Sequence, residues 1–73
     1  MKYSQGGFML GGNIKKFRQK KQLTQDKLAR IADIPYTSIT KIETGVIKKP
    51  SVQTVAKIAK ALGISIDELM EGV

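Results

Sequence analysis

Apolar residues first take on a helical period near Asn13. Ile14 and Phe17 stand three apart ahead of a run of lysine and glutamine, and Asn13 is a good N-cap, so the pattern predicts a helix from Asn13 to about Lys21. Leu23 is expected to pack where the chain then turns. Thr24 caps a second helix, and Asp26 in its first turn complements the positive end of the helix dipole. Leu28, Ile31 and Ala32 make an i, i+3, i+4 stripe predicted to face inward, with Lys27 and Arg30 outward. Asp33-Ile34-Pro35 breaks that helix, because proline has no amide hydrogen and belongs in a turn or a first helical turn. In the third helix Ile39 and Ile42 lie one turn apart on the buried side. Gly45 follows Thr44 where a left-handed residue commonly closes a helix.

Residues 46–50 form a loop. Ser51 caps a fourth helix, in which Val52, Val55, Ala56, Ala59 and Leu62 keep the helical spacing, and Gly63 ends it. Ser65-Ile66-Asp67-Glu68 has the spacing of a capping box, so a short fifth helix should run through Leu69 and Met70. No segment alternates with the period of a strand. The expected fold is therefore all-α, a compact bundle of five short helices. Residues 1–12 contain four glycines and no helical period, and are predicted to be a flexible N-terminal arm ahead of a domain at 13–73. Met9 could serve as an alternative start. An arm that reaches along a partner and a simply disordered one both fit this composition.

At 73 residues the chain makes one domain, and a chain of this size buries only about 60% of the surface its unfolded form exposes. It has no cysteine and no histidine, so no disulfide or thiolate metal site can staple it. Stability must come from helix packing, a dimer partner, or both. Residues 1–50 carry eleven lysines and arginines against Asp26, Asp33 and Glu43, a balance of +8; residues 51–73 carry Lys57 and Lys60 against Asp67, Glu68 and Glu71, a balance of −1. Charge gathered in one half suggests a polyanionic partner, nucleic acid or an anionic membrane, over a merely soluble basic surface.

Several function classes lose support. No apolar run approaches the roughly 20 residues that span a bilayer, and no signal-peptide apolar region follows Lys2, so a cytoplasmic protein is expected. A membrane-surface helix would need a long apolar face opposite its lysines; the first helix is too short, and the stripes of the next three are needed for the core. With no histidine or cysteine, and six acids that form no suggestive pair, the chain is not expected to be an enzyme. No cofactor, metal or small-molecule ligand is expected.

The informative unit is residues 24–44: two short helices joined by a tight turn, followed by a basic loop. That is the helix-turn-helix arrangement, in which the second helix enters a major groove about 12 Å wide. Tyr36, Thr37, Thr40 and Lys41 fall on the outer side of that helix, opposite Ile39 and Ile42. A polar helix face alone is usually just solvated; the turn and the lysines beside it change the weighting.

From about Asn13 to Met70 the chain also resembles the Cro/C1-type, or xenobiotic-response-element, helix-turn-helix domains of bacterial and phage repressors. The resemblance is carried by the LTQ that opens the second helix, the S-I-x-x-I-E-x-G run at Ser38–Gly45, the P-S after the loop, and the closing A-L-G-I-S-I-D-E-L. Asp33 departs from the glycine usual in that turn, and some strain in a left-handed conformation follows. The resemblance implies base contacts from Tyr36, Thr37, Thr40 and Lys41. Lys41 could donate to guanine, threonine methyls could meet the thymine methyl, and Tyr36 could instead stack on sugar or reach a phosphate.

It further implies phosphate contacts from Gln25 at a helix N-terminus, from Ser38, and from Lys48 and Lys49. The plainer alternatives are a simple first-turn residue, a locally satisfied serine and solvated loop lysines. Arg18 and Glu43 resemble a family ion pair with a structural role. Pairing of two copies on a near-palindromic operator is the family's route to a site long enough to be specific, so the expected partners are double-stranded DNA and a second copy in a homodimer. Ile64, Ile66, Leu69 and Met70 hold more apolar surface than a tail needs and are expected to contribute to that dimer contact, unless the core absorbs them. With no sensing domain in the sequence, repression by blocking polymerase is the simplest mode. The rival reading is an antitoxin or adaptor of the same fold whose main partner is a protein, although no appended binding tail is seen.

Overall fold

The computed structural model describes residues 9–73, which form helices α1 (Met9–Lys20), α2 (Gln25–Ala32), α3 (Tyr36–Glu43), α4 (Val52–Leu62) and α5 (Ile66–Leu69), with no strand among the described residues. Side-chain caps start three of them. Thr24 Oγ1 accepts from the Lys27 amide at 3.0 Å, and Ser51 Oγ from the Thr54 amide at 3.2 Å. At α5 the box is reciprocal: Ser65 Oγ accepts from the Glu68 amide at 3.0 Å, and Glu68 Oε1 from the Ser65 amide at 3.1 Å. Each cap satisfies an amide that the helix cannot.

One device ends α1, α2 and α4. Gln22, Asp33 and Gly63 take positive φ of 58°, 59° and 72°. The next residue in each case, Leu23, Ile34 or Ile64, donates its amide back to the carbonyl of Arg18, Ala29 or Ala59 at 3.0 Å and packs against the core. This is the Schellman closure, in which a left-handed residue turns the chain and an apolar one clips it down. The conformation expected of Asp33 is therefore present. Gln22 adopts it too, without any sequence signal.

Packing joins α1 to α3, α2 to both α3 and α4, and α5 to α4 and α1. The core comprises Leu10 and Ile14 of α1, Leu28 and Ala29 of α2, Ile39 and Ile42 of α3, Val55, Ile58, Ala59 and Leu62 of α4, and Leu69 of α5. No helix among the described residues is long and apolar enough to cross a membrane.

Four expectations need correction. The first helix begins at Met9, not Asn13, so residues 9–12 are helical and Leu10 is buried; residues 1–8 of the expected arm lie outside the described residues. Gly11 explains the helix despite its two glycines. A Cβ there would stand 2.4 Å from the Ile42 carbonyl oxygen and 3.0 Å from Glu43 Cα, so only glycine lets α1 lie this close to the end of α3. Second, Asn13 is not a cap. Its Nδ2 donates to the carbonyls of Leu69, 2.8 Å away, and Glu71, 2.9 Å away, tying α1 to the end of α5.

Third, Ile31 is 53% exposed and Ala29 takes the inward place beside Leu28 and Ala32. Likewise Val52 is exposed, while Ile58 is fully buried. Fourth, Leu69 has no exposed surface. It is a core residue and cannot offer a dimer contact, because α5 must bury something to hold so short a helix against α1 and α4. Ile64 and Met70 are half-buried against the same core, which leaves Ile66 as the exposed member of that group.

Candidate nucleic-acid interface

Pro35 starts α3 with φ −62°, and it has no side chain able to cap. The amides of Tyr36 and Thr37 are therefore left without intrahelical acceptors at the positive end of the helix. Ile39 and Ile42 fasten the helix from its inner side. The opposite side presents Tyr36, Thr37 and Lys41 exposed and Thr40 half-exposed, so the structure brings these four residues together on one surface. Thr44, one turn beyond Thr40, is exposed and prolongs it. At 1.5 Å per residue, eight residues make a rod about 12 Å long. Ser38 lies at the edge of this surface, half-buried.

Two of the threonine hydroxyls are engaged within the chain. Thr40 Oγ1 donates to the Thr37 carbonyl at 2.9 Å, and Thr44 Oγ1 to the Thr40 carbonyl at 2.8 Å. Thr37, Tyr36 and Ser38 make no side-chain hydrogen bond among the described residues.

Behind α3 a polar knot fixes its end. Arg18 of α1 forks onto Glu43, with Nε to Oε2 at 2.7 Å and the second guanidinium nitrogen to Oε1 at 3.1 Å. Its remaining nitrogen donates to the Leu23 carbonyl at 2.8 Å. Gln25 Nε2 donates to Glu43 Oε1 at 3.0 Å. The Glu43 side chain is only 3% exposed, yet three side-chain donors neutralise and satisfy it. One carboxylate thus locks α1, α2 and α3 together. Gln25 Nε2 makes no further hydrogen bond among the described residues. Its place in the knot, like that of Asn13 in the α1–α5 tie, was not evident from sequence, where a glutamine at a helix start carries no sign of its partner.

The basic loop folds back on α3. Gly45, buried and at φ 85°, reverses the chain, and the Ile47 amide donates to the Lys41 carbonyl at 3.0 Å while its side chain packs on the core. Ile47 anchors the loop, and Lys48 and Lys49 beside it are exposed next to the end of α3. Exposed Val46 precedes them. The unit from α2 to this loop offers unpaired helix N-terminal amides, a hydroxyl- and methyl-bearing ridge, and lysines at one border. Asp26 and Arg30, paired at 3.1 Å on the surface of α2, are a solvated ion pair of small consequence for stability.

A helix-turn-helix family model matches residues 14–69, from the first core isoleucine of α1 to the end of α5. The chain is 34% identical over 64 residues to the protein named "Uncharacterized HTH-type transcriptional regulator YqaE" of Bacillus subtilis (strain 168), a match covering 88% of this chain and 54% of that protein. It is 29% identical over 63 residues to the HTH-type transcriptional regulator SinR of the same organism, covering 86% of this chain and 57% of SinR. Among solved structures, a chain of the SinR protein/SinI protein complex superposes with a TM-score of 0.83 at 27% identity, over 86% of this chain and 61% of that one. The chain spans about half the length of the curated relatives it matches. With its match running through every helix of the bundle, the chain belongs to the helix-turn-helix family of Cro/C1-type DNA-binding transcriptional regulators.

Proposed function

We propose that this chain binds double-stranded DNA sequence-specifically, with α3 in the major groove, and regulates transcription, as a repressor in the simplest mode. The observation that carries the reading is the outer side of α3, held rigidly from behind by Ile39, Ile42 and Glu43 and bordered by Lys48 and Lys49. Tyr36, Thr37, Thr40 and Lys41 meet base edges; Gln25, Ser38, Lys48 and Lys49 meet phosphates. Residues 13–73 act as the DNA-binding domain, together with the helical turn that precedes them, and the site of action is the cytoplasm. No cofactor or small-molecule ligand enters the reading.

Selection of bound duplexes from a random pool tests it directly, and indifference to every duplex at low ionic strength overturns it. If about five phosphates are neutralised, log affinity should fall against log salt with a slope of about −4 to −5. Lys48→Ala should weaken all duplexes alike and make that slope shallower by about one, whereas Thr37→Ala should change which sequences are preferred. The reverse pattern would invert the assignment of phosphate and base contacts.

A few base pairs read by one helix are too few to single out a site, so we place two copies on a near-palindromic operator with half-sites about 34 Å apart. Ile66, with the half-buried Ile64 and Met70 around it, offers an apolar surface to such a homodimer. Sedimentation equilibrium with and without operator DNA decides it, and a single copy per full operator would remove the dimer.

A second reading, a protein partner as for an antitoxin or adaptor, has one observation in its favour: the structurally similar SinR chain was solved together with SinI protein. A stoichiometric partner recovered with the purified protein, in place of DNA affinity, would favour it.

A further inference from the structure

We infer that the reading surface is divided by the direction of its hydroxyls: Thr40 reads through its methyl group, opposite a thymine, while Thr37 reads through its hydroxyl. This rests on the DNA-binding proposal and sharpens it. A threonine hydroxyl has one hydrogen to donate. That of Thr40 is directed to the Thr37 carbonyl at 2.9 Å, and that of Thr44 to the Thr40 carbonyl at 2.8 Å, with the Lys41 carbonyl 3.3 Å away. While they hold these bonds, neither donates to guanine O6 or N7, to adenine N7, to thymine O4 or to a phosphate. With its one hydrogen committed to the helix, what Thr40 has left for an apolar or acceptor-bearing partner is its methyl group, Cγ2.

Thr37 differs. Its hydroxyl has no partner among the described residues and stands in the first turn, beside the unpaired amides. The second half of α3 therefore offers methyl groups next to one cation, Lys41, and the first half offers donors. In the major groove the feature complementary to a methyl group is the 5-methyl of thymine. Guanine is disfavoured opposite Thr40, because its acceptors would be desolvated against a group with nothing to donate.

The test uses the full chain and the duplex that it selects. Each thymine is replaced in turn by deoxyuridine, which removes the methyl group alone. One position in each half-site should then bind about fourfold more weakly, the worth of about one buried methyl at roughly 0.8 kcal/mol. Two near-isosteric variants, checked for unchanged melting, assign that position. Thr40→Val, which keeps the methyl and lacks the hydroxyl, should bind within about twofold of the parent and remain sensitive to uracil. Thr40→Ser, which keeps the hydroxyl and lacks the methyl, should lose about fourfold and no longer distinguish uracil from thymine.

At Thr37 the pattern should be the opposite, with serine tolerated and valine not. Binding retained by Thr40→Ser but lost by Thr40→Val overturns the inference, as does a selected site insensitive to uracil throughout, while both leave the DNA-binding proposal standing. Failure to select any duplex overturns both.

Discussion

Adjacent glycines in α1 ought to respond in opposite directions to one added methyl group. In a helix interior, glycine to alanine is worth about 1 kcal/mol in favour of alanine. Among the described residues nothing lies within 4 Å of a Cβ on Gly12, so Gly12→Ala should realise most of that gain. For a domain of this size the melting temperature should rise by roughly 4–8 °C per kcal/mol. At Gly11 the same Cβ would stand 2.4 Å from the Ile42 carbonyl oxygen, nearly 1 Å inside ordinary contact, with Glu43 Cα and its carbonyl oxygen both at 3.0 Å. These are backbone atoms and cannot rotate aside, so α1 must move away from α3.

Overpacking of this kind costs about 1–3 kcal/mol, which cancels or exceeds the helix gain. The displacement also falls on the Arg18–Glu43 pair and hence on the reading helix, so Gly11→Ala should weaken operator binding at temperatures where it remains folded. Circular dichroism melts of both variants, with a binding titration at 25 °C, are sufficient. If Gly11→Ala melted as high as Gly12→Ala, the close approach of α1 and α3 would not exist and the account of the α1 start would be wrong.

Other perturbations follow from the same contacts. Glu43→Ala leaves the Arg18 guanidinium in a largely buried place without its partner, and should cost about 3–5 kcal/mol in chemical denaturation along with DNA affinity; unchanged melting would show that the pair contributes nothing. Asn13→Ala removes two hydrogen bonds to backbone carbonyls and should cost about 1–2 kcal/mol, and Asn13→Asp should cost more because a carboxylate cannot donate to them; a neutral Asp variant would refute the tie. Gln22→Gly and Asp33→Gly relieve left-handed backbone and should each stabilise the domain by up to about 1 kcal/mol, with thermal melts as the check; destabilisation by either would point to a side-chain role.

The parts of the fold legible in the sequence were those written in local chemistry. Thr24, Ser51 and the Ser65–Glu68 box set helix starts through bonds to amides within three residues, and Asp33, Gly45 and Gly63 mark turns through backbone preference. What was not legible depended on distant neighbours. A pair of glycines signals a break on its own; here Gly11 permits a close helix contact, and the burial of Leu10 holds the turn in helical form. The α2 stripe was ambiguous because Ala29 and Ile31 are both apolar and lie on either side of the core direction, and only packing against α3 and α4 decides which turns in. Leu69 carried no mark separating a core leucine from a surface one. For the interface, period alone placed Tyr36, Thr37, Thr40 and Lys41 on one side, whereas the direction of each hydroxyl and the link from Gln25 to Glu43 depend on partners that only the folded chain brings near.

Among the described residues the main fastenings of α3, from Ile39, Ile42 and Glu43, lie on the side away from its exposed Tyr36, Thr37 and Lys41. The letters displayed to a partner can therefore be rewritten at positions 36, 37, 40 and 41 with little effect on whether the chain folds. A lineage built on this bundle can acquire new targets by drift in a handful of codons, its thermal stability passing unchanged from one specificity to the next.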